Sequence, residues 1–425
     1  MKLPTRLNAI LPYDAWCLSQ DSDDLAVIVR QFINKHRWQP FPAALRFPLK
    51  LGIRVLWLAW CPYRILRISQ KTKQQIFTKK SWHTLKNCYH HGHKPIEILA
   101  PQLALTSLST SDVGNLRDNH WILLWKILGN ASSLRLAQDK LALAEHLSAM
   151  GLSTPPLLCE LPQGSKFTLE DLPQTDCDRL FIKPRHGSQA IGAFSLKRIA
   201  NDCWQINGNQ KIDGKSLQHQ IDRLLQMDSL LVQPFLRPLT QLAELSSDAP
   251  LELRITTAHL PDGQSFIHSA YLKIQAPGTH ASTAISGALA TPIAPGSGMM
   301  QYGIQLQQPH LKLKQIPWSG IALHDRILPH YPEVEAMVLT ASRALPGIPV
   351  LGWDVLLTEN GPVILEANTG LSWRLMHLSH ALTGEPSRLP QVIREWMKIS
   401  PSVPTVQIER QHSSRDGSDG RDAGI

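Results

Sequence analysis

Apolar residues recur along this chain in two rhythms. In HWILLWKILG (120–129), LRLAQDKLALAEHLSAMGL (134–152) and EVEAMVLTASRAL (333–345) they fall three and four positions apart, the spacing of helices with one buried face. The second of these runs closes at Gly151, with Pro155 and Pro156 just beyond as stop signals. Shorter runs rich in β-branched and aromatic residues predict strands at RLFIKP, SLLVQPFL, LELRITTAHL, QSFIHSAYLKI, VLGWDVLLT and PVILEAN, with helices between them. No internal repeat interrupts this order.

The last two strands pose a charge problem. LGWDVLLTENGPVILEANTG (351–370) is apolar apart from Asp354, Glu366 and Asn368, and buried carboxylates cost stability unless something compensates them. A three-residue Glu359-Asn360-Gly361 loop would pair Thr358 with Pro362, Leu356 with Ile364 and Asp354 with Glu366, with Asn368 two positions on along the same face. A two-residue Asn-Gly turn would instead send the two acids to opposite faces. Directly opposed carboxylates lie only ~5 Å apart at Cβ and repel, so a positive charge is expected between them. Oxygen ligands without His or Cys suit Mg²⁺. The other way to balance them is Lys or Arg from elsewhere in the fold.

Two further stretches carry cations that an anionic ligand would need. In FIKPRHGSQAIGAFSL (181–196) a strand ends at Lys183, and Gly187, Ser188 and Gly192 form a turn whose N–H groups can approach phosphates. In LELRITT, Glu252, Arg254 and Thr256 share one strand face, which sets a guanidinium either to clamp an anion or to pair with Glu252. GNQKIDGKS (208–216) imitates a P-loop but has five residues between Gly208 and Gly214 where that motif needs four, and NDCWQIN before it reads as a poor buried strand. NCYHHGHKP offers Cys88, His90, His91 and His93, yet no second ligand pair follows at zinc-finger spacing.

Charge changes the picture at the N-terminal end. Composition, 43% hydrophobic and 18% charged over 425 residues, describes a folded protein of two or three domains, and its net charge is +9. From residue 25 to 96 there is no acid at all, against fourteen Lys and Arg, which reads either as a surface for an anionic partner (membrane, nucleic acid or acidic polymer) or as a basic helical domain that keeps the protein soluble. Within it, FPLKLGIRVLWLAWCPYRILRIS (47–69) has an uncharged run of only nine residues between Arg54 and Arg64, too short to span a bilayer. It reads either as an interfacial helix on an anionic leaflet or as an amphipathic core helix stopped by Pro62. Six scattered cysteines without a CxxC pair or a leading signal predict a reducing, cytoplasmic setting, peripheral to the membrane if the basic region meets lipid. The polar end SSRDGSDGRDAGI is expected to be disordered.

Taken in order, DKLALAEHLSAMGLSTPP, FIKPRHGS, LLVQPFL, LELRITT and GWDVLLTENGPVILEAN resemble the ATP-grasp superfamily, most closely its sugar-transfer-associated, glutamate-ligase-like branch, over roughly residues 130 to 380. The resemblance implies an α+β fold in which two α+β subdomains clasp ATP with two Mg²⁺ ions. Charge and composition set off a basic, mainly helical region at 1–100 and a tail at 401–425, and the resemblance makes 101–400 an ATP-grasp domain with a helical lead-in, its motifs at about 130–380. It makes Asp354, Glu366 and Asn368 metal ligands, with Glu366 bridging both ions. Lys140 and Lys183 resemble the ATP lysines, Gly187 and Ser188 the start of the covering loop, and Gln233, Pro234, Phe235 and Leu236 the adenine hinge, although Gln233 and Pro234 stand where acids are usual. Arg254 resembles the arginine that faces the transferred phosphate, which with Lys183 makes the catalytic pair. THASTAISGALATP (279–292) lacks the expected Asn and Gly-Gly pattern. The implied activity is an ATP- and Mg²⁺-dependent carboxylate–amine ligase working through an acyl phosphate on a small or saccharide-linked acceptor, in cell-surface polysaccharide modification. Nucleic acid is not an expected partner. The alternatives are a kinase-like phosphotransferase and a non-catalytic nucleotide-binding module at the membrane.

Overall fold

The computed structural model describes residues 29, 42–72, 82, 85, 118–187, 190–200, 202–208, 210–245, 251–276, 288–305, 308–371, 373–384 and 387–399. Ser188, the Cys88/His93 segment, most of 279–292 and the tail beyond 400 therefore lie outside the described residues.

Two antiparallel sheets carry the molecule. The first joins β1 (Cys159–Leu161), β2 (Leu180–Pro184), β3 (Phe194–Ala200), β4 (Cys203–Ile206), β5 (Gln210–Asp213) and β6 (Leu230–Pro234) in the order β1-β6-β2-β3-β4-β5. Alternation sends Leu180, Ile182, Phe194, Leu196, Leu230 and Val232 to one face, where a helix from Gly214 to Leu225 covers them with Leu217, Ile221 and Leu225. Phe181, Lys183, Leu231 and Gln233 are thereby committed to the other face. NDCWQIN does hold a strand, β4, with Trp204 and Ile206 buried. The P-loop imitation is strand β5 running into the helix, with Asp213 accepting from the Ser216 N–H at 2.8 Å as its N-cap.

The second sheet joins β7 (Glu252–His259), β8 (Ser265–Ile274), β9 (Leu289–Ile293), β10 (Gly303–Gln305), β11 (Gln308–Leu313), β12 (Val350–Thr358) and β13 (Gly361–Asn368) in the order β11-β10-β9-β8-β7-β12-β13. Its apolar face, with Leu253, Ile255, Leu272, Ile274, Trp353 and Val355, forms the main core with Val334, Val338 and Ala341 of a helix at Tyr331–Arg343. The Trp353 indole N–H is satisfied there by Thr257 Oγ1 at 3.0 Å and Ser342 Oγ at 2.9 Å.

Taking the helices in chain order, α1 is Ala43–Thr72, α2 Asp118–Leu128, α3 Ala131–Gln138, α4 Lys140–Ala149, α5 Gly214–Leu225, α6 Tyr331–Arg343, α7 Trp373–Thr383 and α8 Leu389–Ile399. Three of the expectations change. The periodic run 134–152 is two helices, because Asp139 leaves helical geometry (φ −99°, ψ 103°) and caps α4 through the Leu141 and Ala142 N–H groups. Helix α1 does not stop at Pro62, since Trp57, Cys61 and Ile65 are buried on both sides of the missing N–H and packing carries the helix across it. The 359–361 loop is not three residues long, because Thr358 pairs with Gly361 and only Glu359 and Asn360 turn the chain.

The acids stay together despite that shorter turn. A β-bulge lies between Asp354/Glu366 and Val355/Ile364, so Leu365 is an extra residue with no partner of its own. It restores the register that the turn alone would have lost, and Asp354 faces Glu366 after all.

Candidate active site

The site lies on the face of the second sheet opposite its core. Across four strands Tyr271, Arg254, Asp354 and Glu366 stand side by side in one row. A flanking row runs Lys273, Glu252, Leu356, and the row on the other side runs Ser269, Thr256, Gly352, Asn368. Since directly opposed residues meet at their side chains, this register places cations beside anions before any loop is considered.

Arg254 closes on Asp354 with a two-pronged grip, Nη2 to Oδ2 at 2.8 Å and Nε against Oδ1. Gly352 lies beneath this pair, where a Cβ would come 3.4 Å from Arg254 Cδ and Nη1 and 3.3 Å from Leu371 Cδ2, close contact without a clash. Lys273 contacts Glu252 and stands 3.7 Å from Asp354 Oδ1. The Asn368 amide nitrogen donates to Asp354 Oδ2 and to Glu366 Oε1, each at 3.0 Å.

The first sheet supplies two more cations. Lys183 projects from β2 to within 3.5 Å of the carbonyl of Leu365, the bulged residue. Lys140 opens α4 and reaches the Gly187 carbonyl at 3.0 Å and Glu366 Oε2 at 3.8 Å, tying the glycine turn to the second sheet. Gly187 has φ +96°, a conformation L side chains avoid. The start of that turn is pinned through Arg185, whose Nε and Nη2 donate to Asp139 at 2.8 and 2.7 Å and whose Nη1 reaches Glu160 at 3.1 Å.

Protonation follows from burial and neighbours. Burial alone would raise the Asp354 pKa, but Arg254 and Lys273 override it and hold the carboxylate far below its ordinary range. Burial, then Asp354 alongside, pushes the Glu366 carboxyl up. Burial brings Lys183 down to about 8, against the pull of Glu366. Lys273 keeps its proton in spite of burial because Asp354 and Glu252 face it.

The positive charge demanded by the opposed acids is thus present within the protein as Arg254, Lys273 and Lys140, with Lys183 nearby. Four cations meet three carboxylates, Asp354, Glu366 and Glu252, which leaves the site ready for further negative charge. The oxygen donors also fit Mg²⁺. Asp354 Oδ2 and Glu366 Oε1 converge on the Asn368 amide, and turning that amide over would present its oxygen to the same point. Among the described residues no trio of His, Cys, Asp or Glu converges, and the Asn368 side chain is the polar group that lies against both carboxylates.

Lys140, Lys183, Arg254, Asp354, Glu366 and Asn368 therefore come together as one cluster, with Gly187 joined through its carbonyl. The Gln233–Leu236 segment leaves β6 on the strand next to Lys183. Gln233 lies across from Phe181 and gives its amide to the Pro155 carbonyl at 3.4 Å, Pro234 pairs with Leu180, and the Phe235 N–H binds the Arg179 carbonyl at 2.9 Å. Leu236 follows, half-buried. The reading of Glu252 as the partner of Arg254 is corrected, because Glu252 lies across from Lys273 and Arg254 across from Asp354. Lys273, Asp139 and Arg185 escaped the sequence reading. A lysine ending the apolar run QSFIHSAYLKI was a usable signal, whereas the Asp139–Arg185 pair spans two elements and left none.

Among solved structures, the chain is similar to an L-amino acid ligase from Bacillus licheniformis at 14% identity, over 62% of this chain and 49% of that one, with a TM-score of 0.37. It is similar to a D-alanine–D-alanine ligase from Bacillus anthracis at 12% identity, over 64% and 71%, with a TM-score of 0.38. Similarity to the D-alanyl-alanine synthetase A of Vibrio cholerae is 10%, over 64% and 67%, with a TM-score of 0.40. The chain spans about half the length of the first of these, and TM-scores below 0.5 give the three no weight for substrate or chemistry. No curated protein matches the sequence. Residues 126–386, well over half of the chain, match the sugar-transfer associated ATP-grasp family, and the chain belongs to that family.

Proposed function

We propose that this chain is an ATP- and Mg²⁺-dependent ligase that activates a carboxylate as an acyl phosphate and joins it to an amine. The observation that carries this reading is the six-residue cluster between the two sheets, where cations outnumber acids around a convergent set of oxygen donors. A carboxylate oxygen of the acid attacks the γ-phosphorus, and the bond to the β-phosphate oxygen breaks to release ADP. The amine nitrogen then attacks the acyl carbon, the C–O bond to phosphate breaks, and the amine gives up a proton as phosphate leaves. Bound Mg²⁺ would neutralise phosphate charge and hold the transferred group in line.

This chain's own residues supply the rest. Asp354, Glu366 and Asn368 are the metal donors. Lys140 and Lys183 meet phosphate oxygens, with Gly187 and Ser188 beginning the covering turn and Gln233 to Leu236 meeting the base. Arg254, fixed by Asp354, faces the moving phosphoryl group. No side-chain nucleophile is needed. The family's description as sugar-transfer associated directs the substrate screen to saccharide-linked acids and amines, with a role in cell-surface polysaccharide as the further expectation.

Hydroxylamine trapping tests the chemistry. With ATP, Mg²⁺ and an acid substrate the protein should yield hydroxamate and ADP in equal amounts. A stable phosphoester instead would mean a kinase, and binding of Mg·ATP without any turnover on cell-envelope extracts would mean a nucleotide-binding module.

Lys183 provides a pH signature. Its free-state pKa of about 8 means that near that pH a large share of molecules hold it neutral, and a polyphosphate beside it restores the charge. The Lys183 share of the proton uptake on ATP binding is therefore expected to be roughly half a proton at pH 8 and almost none at pH 6.5. Titration calorimetry in buffers of different ionisation enthalpy reads the uptake directly, and Lys183→Met should abolish that share and weaken binding about 10- to 100-fold.

A further inference from the structure

Helix α1 presents an apolar face that nothing among the described residues covers. Its buried stripe is narrow, Trp57, Cys61 and Ile65, with Trp60 and Leu85 packed alongside. Around the rest of the helix Leu45 (52% exposed), Leu49 (42%), Leu56 (62%) and Tyr63 (51%) follow at spacings of four, seven and seven, which sets them on one line, with Val55 (59%) and Leu66 (39%) beside it. An amphipathic core helix would bury that line, and among the described residues nothing does. At ~1.5 Å per residue the line from Leu45 to Leu66 runs about 30 Å along the helix, and an exposed apolar line of this length marks an interaction surface.

We propose that this face docks α1 in the plane of an anionic lipid bilayer. Three observations favour that occupant. The helix contains six Lys and Arg and no acid, inside a 72-residue stretch (25–96) that has no acid either, and this complements anionic headgroups. A second copy would bring the same acid-free strip against it and add repulsion. A polyanion such as nucleic acid would be met by the cations and would leave the apolar line in water. The helix lies on the surface rather than crossing it, since no helix among the described residues is long and apolar enough to span a membrane. Near its C-terminal end Arg67 Nε donates to Tyr63 Oη at 3.2 Å with the guanidinium 5.7 Å from the ring centre, an aromatic and a cation paired where headgroups would lie. The proposal is independent of the ligase reading, because it concerns a different element and a different ligand.

Flotation of the full chain tests it. The protein is expected to float with phosphatidylcholine vesicles containing about 30 mol% phosphatidylglycerol at low salt, at least tenfold more weakly with pure phosphatidylcholine, and less as salt rises to about 0.5 M. Leu49→Asp/Leu56→Asp should stay at the bottom of the gradient while retaining the wild-type circular dichroism. Should that variant misfold, Leu45→Ser/Val55→Ser, also on exposed positions, should still cut flotation severalfold. Equal flotation with both lipids, or none, would overturn the proposal. So would a concentration-dependent dimer dissolved by the same substitutions, which would name a second copy. Heparin capture that survives both variants, without flotation, would name a soluble polyanion instead.

Discussion

Arg254→Met should cost the fold about 3–5 kcal/mol, the usual effect of removing one partner from a buried, hydrogen-bonded ion pair. The loss has a definite origin. Asp354 is almost wholly buried, and without the guanidinium its strongest remaining cation is Lys273 at 3.7 Å. Its carboxyl, now held far down by Arg254 and Lys273 against burial, must then rise. A depressed carboxyl contributes stability above its unfolded pKa, near 3.8, and loses it as pH falls through the folded value. The variant should therefore unfold at lower urea concentration near neutral pH and show less further loss between pH 5 and 3. Arg254→Met/Asp354→Leu should recover a good part of the stability, because no charge is then left unpaired. Neither variant should turn over ATP, and Arg254→Lys, which keeps the charge but not the two-pronged contact, should fall in between in stability. A double variant no more stable than Arg254→Met would show that the pair does not couple as its geometry implies.

Glu366→Gln is expected to separate stability from function. Burial and the neighbouring Asp354 raise the Glu366 carboxyl above its unfolded value of 4.5. The unfolded chain then releases its proton at lower pH than the fold does, so ionised Glu366 weakens the fold as pH climbs through that window. Removing the charge should leave the free protein as stable as wild type or slightly more so at pH 7. Mg·ATP binding and ADP release should meanwhile fall about 100-fold or more, since even residues behind the metal ligands typically cost 10- to 100-fold. Melting curves with and without Mg·ATP check both halves. Wild type should gain stability from the ligand and Glu366→Gln should not. A variant that still gains as much would remove Glu366 from the metal site.

The strands holding the site were legible because their apolar runs are long and their polar exceptions few. Asp354, Glu366, Asn368, Arg254 and Lys183 each interrupt such a run, and a polar residue inside a buried strand demands a partner. What supplies that partner was not legible. The sequence reading put Asp354 opposite Glu366 through a three-residue turn, whereas the chain uses a two-residue turn and a bulge at Leu365, two one-residue offsets that cancel. Turn length and bulges are decided by neighbouring strands and packed side chains, and local spacing does not report them.

By itself the sequence determined the element types, the greasy strands with their few acids and cations, the acid-free basic stretch and the family resemblance, since all of these depend on order and spacing within short windows. Only the tertiary structure decided that Arg254 and Lys273 already neutralise Asp354, that Lys183 meets the carbonyl of the bulged Leu365, that Lys140 joins the glycine turn to Glu366, and that α1 leaves its apolar line exposed. Each of those contacts joins residues brought together by strand register, bulge or helix docking, and charges act through distance in space rather than distance along the chain.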